Sequence, residues 1–572
     1  MKLISADTLG EMKRAAPWLT ALIVVSLFVT LECPNLVHFD TNDDPGMMIT
    51  ASGILSSVPP SEDLVHTSPL IGLALKHLYL TFPGVPWYPI YLQTLTVLYL
   101  GLCVYTAVNI TRASRWACLM ILLLLVPFIL YLLVTLQFTL VALNLASVAL
   151  FFSVKELKQG TSSWPKLALA LLLTFVAGCV RPRLPGAIPV GALVVVLWAP
   201  WLALEVLGAG QRRRVWISFL ALFVATLFLP RLASEAYYRN EPGWARFYEA
   251  NVYRGKLLDT PLAFLDPNQP TVVDFLHRTG WSVNDLQLAK TSFFANKQVF
   301  TFERIERFCR FVLPLVHHYN VWATARVIPL KYWHYGNCVV LLACYLCLLR
   351  PTWPHVLFQV GNVAYIFLVI LYICVVSKLV DRTVIPAIFT GAMVSIYLYS
   401  RSGAETAPVI SKASRALAAS LAAISAALLI AIHSYYMNGL ATKMIEVRAT
   451  LSNYMHELVR INPKGYYVSW GGHLQEQHWP PYTREMEGYS GIKVIRIGVI
   501  TNSPISDRWI SSLGPGELTD SLLERKDAYV LASEVEMQRL VVFYREHSGI
   551  RAMYSRPGAT KLDVWQVTRR RK

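Results

Sequence analysis

Residues 18–31 read WLTALIVVSLFVTL, and the acidic stretch HFDTNDD follows at residues 38–44. Apolar runs like the first recur along the chain, near the roughly 20 residues that a helix needs to cross a bilayer. The 572 residues are 55% hydrophobic and only 15% charged, with a mean hydropathy of +0.44, whereas soluble domains carry about 25% charged residues. The sequence therefore predicts an α-helical polytopic membrane protein.

About eleven spans are predicted. The first follows Lys13 and Arg14 without a small-residue cleavage site after it, which indicates a retained anchor. With a cytoplasmic N-terminus, the Arg and Lys residues of the short connections fall on the cytoplasmic side, as the positive-inside rule requires. Because membrane topology explains this placement of basic residues, the net charge of +17 does not indicate a nucleic-acid partner. The predicted spans lie near 17–33, 89–108, 116–134, 136–154, 166–180, 186–207, 215–232, 331–349, 355–377, 383–400 and 415–436.

Three longer segments, 34–88, 233–330 and 438–572, are then expected to share the extracytoplasmic side. None contains an Asn-x-Ser/Thr sequon, which favours a bacterial inner (plasma) membrane over an endoplasmic reticulum lumen. The last segment has strand-like runs, such as Lys493–Val499, and a helical pattern at Glu534–His547. We therefore predict a transmembrane part, 1–437, that carries the first two outer loops, and a small extracytoplasmic α/β domain, 438–572.

The acidic stretch holds Asp40, Asp43 and Asp44 just beyond the first span. Its residues before Pro45 suit the capping of a helix that starts at that proline. A carboxylate held near the bilayer surface also suits a general base that removes a proton from a hydroxyl, or a metal ligand. Capping and catalysis are compatible, because one aspartate can cap while the next reaches a substrate.

A first span, an acidic motif at the start of a long outer loop, interfacial helices and a C-terminal outer domain resemble the GT-C superfamily. These polytopic membrane glycosyltransferases use polyprenyl-phosphate-linked sugars. The resemblance covers most of the chain as architecture, and Asp40 to Asp44 as a motif. It implies inverting sugar transfer from such a donor to an acceptor hydroxyl, with Asp43 or Asp44, and next Asp40, as general base. A divalent metal, Mg or Mn, is compatible with this chemistry but is not required.

The donor of such a reaction carries a lipid phosphate, and four basic residues are predicted to bind it. Lys378 and Arg382 lie at the outer end of a predicted span, where charge is expensive unless it is paired or functional. Arg181 and Arg183 lie in a short outer turn, against the positive-inside bias. The alternative is that these residues form ion pairs, including pairs with the aspartates.

Four further residues are predicted to bind the acceptor, which the sequence leaves open as a glycan, a lipid or a protein. Tyr237 and Trp244 belong to a stretch of interleaved aromatic and charged residues that suits stacking on sugars but also suits an ordinary surface helix. Trp470 and His473 lie in a Trp-Gly-Gly-His sequence of the tail.

A secondary transporter or a lipid-carrier flippase for envelope glycan precursors is the main alternative. Such proteins use ionisable residues inside their spans and often show repeated halves, whereas this chain has few charges in its spans and no evident repeat. An envelope scaffold or sensor is a further alternative. No Gly-rich phosphate loop or nucleotide fingerprint is found, so ATP-driven transport has no support.

Overall fold

The computed structural model describes residues 6–111, 115–159, 164–182, 190–259, 265–312, 330–349, 352–376, 380–401, 412–482, 488–498, 500–558, 560 and 562–570. Its helices are α1 (Ala6–Glu32), α2 (Asp43–Ser52), α3 (Pro69–Thr81), α4 (Trp87–Thr111), α5 (Arg115–Val134), α6 (Phe138–Gln159), α7 (Trp164–Val180), α8 (Val190–Gly208), α9 (Arg213–Arg239), α10 (Pro242–Asp259), α11 (Pro270–Thr279), α12 (Val283–Lys290), α13 (Phe302–Val312), α14 (Leu330–Leu349), α15 (Trp353–Val376), α16 (Asp381–Arg401), α17 (Lys412–Ile461), α18 (Pro504–Ser511), α19 (Leu518–Glu524) and α20 (Glu534–Ser548).

Each predicted span falls on a helix: α1, α4 to α9 and α14 to α17. Within the described ranges, seven of these helices are long and apolar enough to cross a membrane, and the other four contain shorter apolar segments. The chain is an integral α-helical membrane protein, and the count of eleven crossings stays a prediction. Helix α6 is central: the apolar window of its span is entirely buried, and it packs against α4, α7 and α16.

Polar side chains hold neighbouring helices together where apolar packing alone offers little selectivity in lipid. Between α15 and α16, Asn362 donates to the carbonyl oxygen of Gly391 at 2.9 Å and to Ser395 Oγ at 3.0 Å. At the end of the bundle remote from the acidic stretch, the buried Lys155 lies 2.5 Å from Glu11 and 2.8 Å from Glu156. The sequence placed Lys155 in a connecting loop, whereas the structure places it in α6, paired inside the bundle.

The strands are β1 (His38–Phe39), β2 (Thr135–Leu136), β3 (Tyr466–Trp470), β4 (Lys493–Ile497), β5 (Ala528–Leu531), β6 (Ala552–Ser555) and β7 (Val564–Arg569). The C-terminal residues form a five-stranded mixed sheet in the order β4-β3-β5-β7-β6. Strands β3, β4 and β5 are parallel, and β7 pairs antiparallel with β5 and β6. A two-stranded parallel pair, β1 with β2, lies earlier in the chain.

The bundle and the sheet are joined more closely than a boundary at 437/438 suggests. Helix α17 is 50 residues long, about 75 Å at 1.5 Å per residue, so it crosses that boundary and extends well beyond a bilayer core of about 30 Å. The second of the three predicted outer segments, 233–330, is called the middle segment below. It contributes α10 to α13, whose apolar residues share one hydrophobic core with the sheet. Although the sequence assigned this loop to the transmembrane part, the structure packs it with the C-terminal residues.

Candidate active site

The acidic stretch is fixed at one end of the bundle by the β1–β2 pair. The backbone N–H of Asp40 donates to the carbonyl oxygen of Leu136 at 3.4 Å. Helix α2 then begins at Asp43, two residues before the predicted start at Pro45, and Asn42 at its N-cap makes no side-chain capping bond. The two aspartates that follow Asn42 therefore lie in the first turn of a helix, where unpaired backbone N–H groups favour negative charge.

Asp44 is completely buried and bound on both carboxyl oxygens. Its Oδ1 accepts from Tyr88 Oη at 2.9 Å and from the backbone N–H of Phe138 at 3.2 Å, and its Oδ2 accepts from Thr41 Oγ1 at 3.3 Å. Burial raises the pKa of Asp44 well above its usual range, although the hydrogen bond from Tyr88 opposes the shift. This carboxyl group therefore ties α2 to α4 and α6.

Asp43 lines a cavity and lies among cationic groups. Its Oδ2 is 3.3 Å from Arg382 Nη1, and its Oδ1 is 3.8 Å from His66 Nε2. Burial works to raise the pKa of Asp43, but His66, Arg382, Arg181 and Arg496 outweigh it and hold that pKa below its usual value. Burial lowers the pKa of His66 to about 4. At neutral pH, Asp43 is thus ionised beside a neutral imidazole.

Arg181 supplies a second cation, and no ion pair at contact distance joins it to a residue within the described ranges. It is only 4% exposed, its guanidinium lies 4.5 Å from the ring centre of Phe138, and its Nε and Nη1 have no hydrogen-bond partner within the described ranges. Burial lowers the pKa of Arg181 to about 10, so it stays charged. Buried donors without hydrogen bonds are costly, and a phosphate would supply acceptors for these two nitrogens. Arg183 and Lys378 lie outside the described residues.

The sheet contributes a third arginine, Arg496 on β4. Its Nη2 donates to the carbonyl oxygen of Asn42 at 2.7 Å, and its Nε lies 2.6 Å from Glu476 Oε2. The guanidinium rests directly on Gly46, where a Cβ atom would lie 1.6 Å from Nη1. Only glycine allows this approach, so Gly46 and Arg496 together join the first turn of α2 to the sheet.

The cavity has a volume of about 350 Å³ and opens between the end of the bundle, the middle segment and the sheet. This is within the usual size range of small-molecule sites. Its walls come from α2, the loop before α3, the loop after α12 and the C-terminal sheet with its connections. The lining residues include Asp43, Gly46, His66, Ser292, Glu476 and Arg496.

One wall is held by a buried arginine of the middle segment. Arg254, only 2% exposed, donates to the carbonyl oxygens of Thr501 at 2.7 Å and Gly498 at 2.9 Å. Its guanidinium lies 4.2 Å from the ring centre of Phe294, and burial lowers the pKa of Arg254 to about 9. Because Gly498 lines the cavity, this contact fixes part of the cavity wall.

The four residues predicted to bind an acceptor do not line this cavity. Trp244 and Trp470 are buried in the core shared by the middle segment and the sheet, and Trp470 Nε1 donates to the carbonyl oxygen of Thr291 at 3.0 Å. Tyr237 is 43% exposed near the end of α9. His473 Nε2 lies 2.8 Å from Glu536 Oε2 at the start of α20. In this structure, both tryptophans pack and His473 supports a helix start.

Sequence reasoning missed His66, Arg496 and Glu476. His66 follows an unremarkable loop and carries no spacing motif. Arg496 and Glu476 lie more than 400 residues beyond Asp43 in the sequence, so no local pattern indicates that they meet it. The one sequence feature that indicated a close contact near these residues was the Gly471–Gly472 pair. Both glycines adopt positive φ, and a Cβ at Gly472 would lie 2.8 Å from Asn42 Nδ2.

The fold and this cavity define an integral membrane protein with a polar, charge-lined site at one end of its helix bundle. No protein-family model matches the chain, and the search of curated proteins found no similar sequence. Two crystal structures resemble it: ArnT from Cupriavidus metallidurans in the apo state and the same protein bound to undecaprenyl phosphate. The first is 11% identical, with 97% of this chain and 98% of that chain covered and a TM-score of 0.41. The second is 12% identical, with 96% and 97% covered and a TM-score of 0.39.

Proposed function

We propose that this chain is a membrane glycosyltransferase of the GT-C type, which moves a sugar from a polyprenyl-phosphate donor to an acceptor hydroxyl. The observation that carries the proposal is the pairing of an ionised carboxylate, Asp43, with a buried arginine, Arg181, at one end of a membrane bundle. Two of the guanidinium nitrogens of Arg181, Nε and Nη1, have no hydrogen-bond partner among the described residues. Such a site accommodates a proton transfer beside a lipid-borne anion. It would face the extracytoplasmic side of a bacterial inner membrane, where a lipid carrier supplies the sugar.

In the proposed reaction, Asp43 accepts the proton of the acceptor hydroxyl. The oxygen attacks the anomeric carbon while the bond from that carbon to the phosphate oxygen breaks. The electron pair of the broken bond leaves with the lipid phosphate, and Arg181 and Arg382 stabilise its charge. Attack opposite to the leaving group inverts the anomeric configuration.

Asp43 is the preferred base among the three aspartates, with Asp40 next. Asp44 is unsuited, because both its oxygens accept hydrogen bonds inside the protein and it does not line the cavity. Asp43 retains its charge and borders the cavity. In this assignment, Asp44 positions the first turn of α2 and Asp43 carries out the proton transfer.

The groups around Asp43 do not fit a divalent metal. Arg382 lies 3.3 Å from its carboxylate, and the charges of Arg181 and Arg496 act on it as well, so a second positive ion would be repelled. Among the described residues, one group of three could hold a metal: Asp285, Glu546 and His547. It lies where α12 meets the end of α20, away from the cavity lining. The arginines supply the charge neutralisation that a metal would provide.

The test compares Asp43→Asn with Asp44→Asn in detergent-purified protein, using radiolabelled polyprenyl-phosphate sugars. The two variants make the same chemical change at adjacent positions. Loss of the base should lower turnover by about 100-fold or more, so we expect that loss in Asp43→Asn only. Asp44→Asn keeps an acceptor for Tyr88 and Phe138 and should retain most activity. Equal activity of both variants would overturn the assignment of Asp43, and no transfer by the wild type from any donor would favour the transporter alternative.

A further inference from the structure

Glu476 is a buried carboxylate at the cavity that the proposed reaction does not use. It begins the 3-10 turn Glu476–His478, and its side chain is 3% exposed. One oxygen, Oε2, lies 2.6 Å from Arg496 Nε. The other oxygen, Oε1, accepts no hydrogen bond from any residue that the structure describes. A buried acceptor without a donor is unfavourable and calls for an explanation.

The position of Glu476 is tied to the first turn of α2. The backbone N–H of Gln477 donates to Asn42 Oδ1 at 3.3 Å, and Arg496, which pairs with Glu476, donates to the carbonyl oxygen of Asn42 at 2.7 Å. Glu476 and Asp43 border the same cavity. Their relative position is fixed by Asn42, which precedes Asp43 and accepts hydrogen bonds from Gln477 and Arg496.

The charge of the neighbourhood indicates which group would meet Oε1. A phosphate would be repelled by this carboxylate and would be attracted to Arg181 and Arg382 instead. A hydroxyl or an ammonium group would donate the hydrogen bond that Oε1 lacks. The sugar of the donor has to lie between Asp43 and the phosphate, so its ring substituents are the polar hydrogens brought closest to Glu476.

We propose that Glu476 recognises a hydrogen-bond-donating ring substituent, a hydroxyl or an amine, of the transferred sugar. This inference rests on the proposed glycosyl transfer and adds a determinant of sugar specificity to it. Arg496 holds Oε2, so Oε1 is the oxygen left for the sugar. A donor whose ring lacks that substituent would leave the buried oxygen without its hydrogen bond, and sites of this kind reject such analogues strongly.

The test uses polyprenyl-phosphate sugars that differ at one ring position, as hydroxyl, amino or deoxy forms, with the wild type and Glu476→Gln. In the variant, the amide oxygen would remain with Arg496, and an NH₂ group would replace Oε1. We expect the wild type to prefer one hydroxyl or amino donor over its deoxy analogue by at least tenfold in kcat/KM. The variant should narrow that preference, because its rate on the preferred donor falls while its rate on the deoxy donor is retained.

The two possible substituents respond differently to the variant. A hydroxyl can accept a hydrogen bond from the new NH₂ group, so its donor would lose less than about tenfold. An ammonium group cannot accept one, so its donor would lose much more. An unchanged preference in an active variant overturns the inference. If the loss follows the acceptor and is the same for all donors, Glu476 binds the acceptor and the inference is also overturned.

Binding of polyprenyl phosphate without a sugar provides the control. Glu476→Gln should bind it as the wild type does, whereas Arg181→Gln should bind it at least tenfold more weakly. If the wild type transfers no sugar and does not bind this lipid, the proposed function itself fails, which is a different result from an unchanged preference. Should Glu476→Gln not fold, Glu476→Asp keeps the charge and withdraws the oxygen, and the same narrowing of the preference is expected.

Discussion

Replacing Gly46 with alanine tests whether the sheet holds the first turn of α2, which carries the proposed base Asp43. The new Cβ would lie 1.6 Å from Arg496 Nη1 and 2.6 Å from its Cζ. Non-bonded carbon contacts are optimal near 3.5–4.0 Å, so the guanidinium would have to retreat by about 2 Å. It cannot do so and also keep its bonds of 2.7 Å to Asn42 and 2.6 Å to Glu476.

The size of the effect follows from those two contacts. A hydrogen bond that involves a charged group contributes about 1.5–3 kcal/mol, so losing both costs roughly 3–6 kcal/mol. Alanine is favoured over glycine in a helix by about 1 kcal/mol, which offsets part of the loss. Gly46→Ala should therefore destabilise the protein by roughly 2–5 kcal/mol. In an Arg496→Ala background the collision is absent, and the same substitution should stabilise by up to about 1 kcal/mol.

The measurement is urea unfolding in detergent micelles, followed by tryptophan fluorescence, for the wild type, both single variants and the double variant. The expected signature is a change of sign: Gly46→Ala lowers the free energy of unfolding when Arg496 is present and leaves it unchanged or raises it when Arg496 is absent. Equal destabilisation with and without Arg496 would refute the reasoning, because it would show that the cost of Gly46→Ala does not come from the contact with Arg496. Sugar transfer by the single variant should fall together with its stability.

Three other predictions concern single side chains. Asp44→Leu leaves Tyr88 Oη and a backbone N–H buried without an acceptor and should cost roughly 2–6 kcal/mol of unfolding free energy, at about 1–3 kcal/mol for each group. Asp44→Asn should stay within about 1 kcal/mol, and similar losses in the two variants would contradict the buried network. Arg254→Leu removes the donor of two carbonyl oxygens and should raise KM for the donor several-fold more than it lowers kcat; a pure kcat effect would refute its role in the cavity wall. Arg382→Gln removes a positive charge that lowers the pKa of Asp43. Because the base must be ionised, activity falls as pH drops through that pKa, so the acid limb of kcat/KM should move to higher pH in Arg382→Gln and stay in place in Arg382→Lys.

Much of the fold could be predicted because its signals are local. Hydropathy over about 20 residues places the apolar helices, and each predicted span falls on a helix. The strands near Lys493 and the helix after Ser533 were likewise predicted from alternation and helical spacing. The shared core of the middle segment and the sheet was not predicted, because it depends on contacts such as Trp470 with Phe293 that join distant parts of the chain.

The aromatic residues show why composition predicts a binding surface poorly. Trp244 and Trp470 were predicted to meet an acceptor, Trp244 because aromatic rings stack on sugars and Trp470 from its place in the Trp-Gly-Gly-His sequence. The same rings also bury a large apolar area, and both are almost inaccessible in this structure. A tryptophan in a sequence does not indicate which of these uses applies; only the neighbours that cover it do. For the same reason, the exposure of Tyr237 does not by itself indicate that this residue binds an acceptor.

Asp43 and Asp44 show most clearly what a sequence leaves open. They are adjacent residues of one type, and a helix directs neighbouring side chains about 100° apart. That rotation sends Asp44 into the bundle, where Tyr88 binds it and burial raises its pKa, and leaves Asp43 at the cavity, where arginines lower its pKa. Pairs whose environments separate their pKa values often divide structural and chemical roles. One of the arginines around Asp43 comes from the sheet, so the sheet is part of the environment that sets the charge of the proposed base.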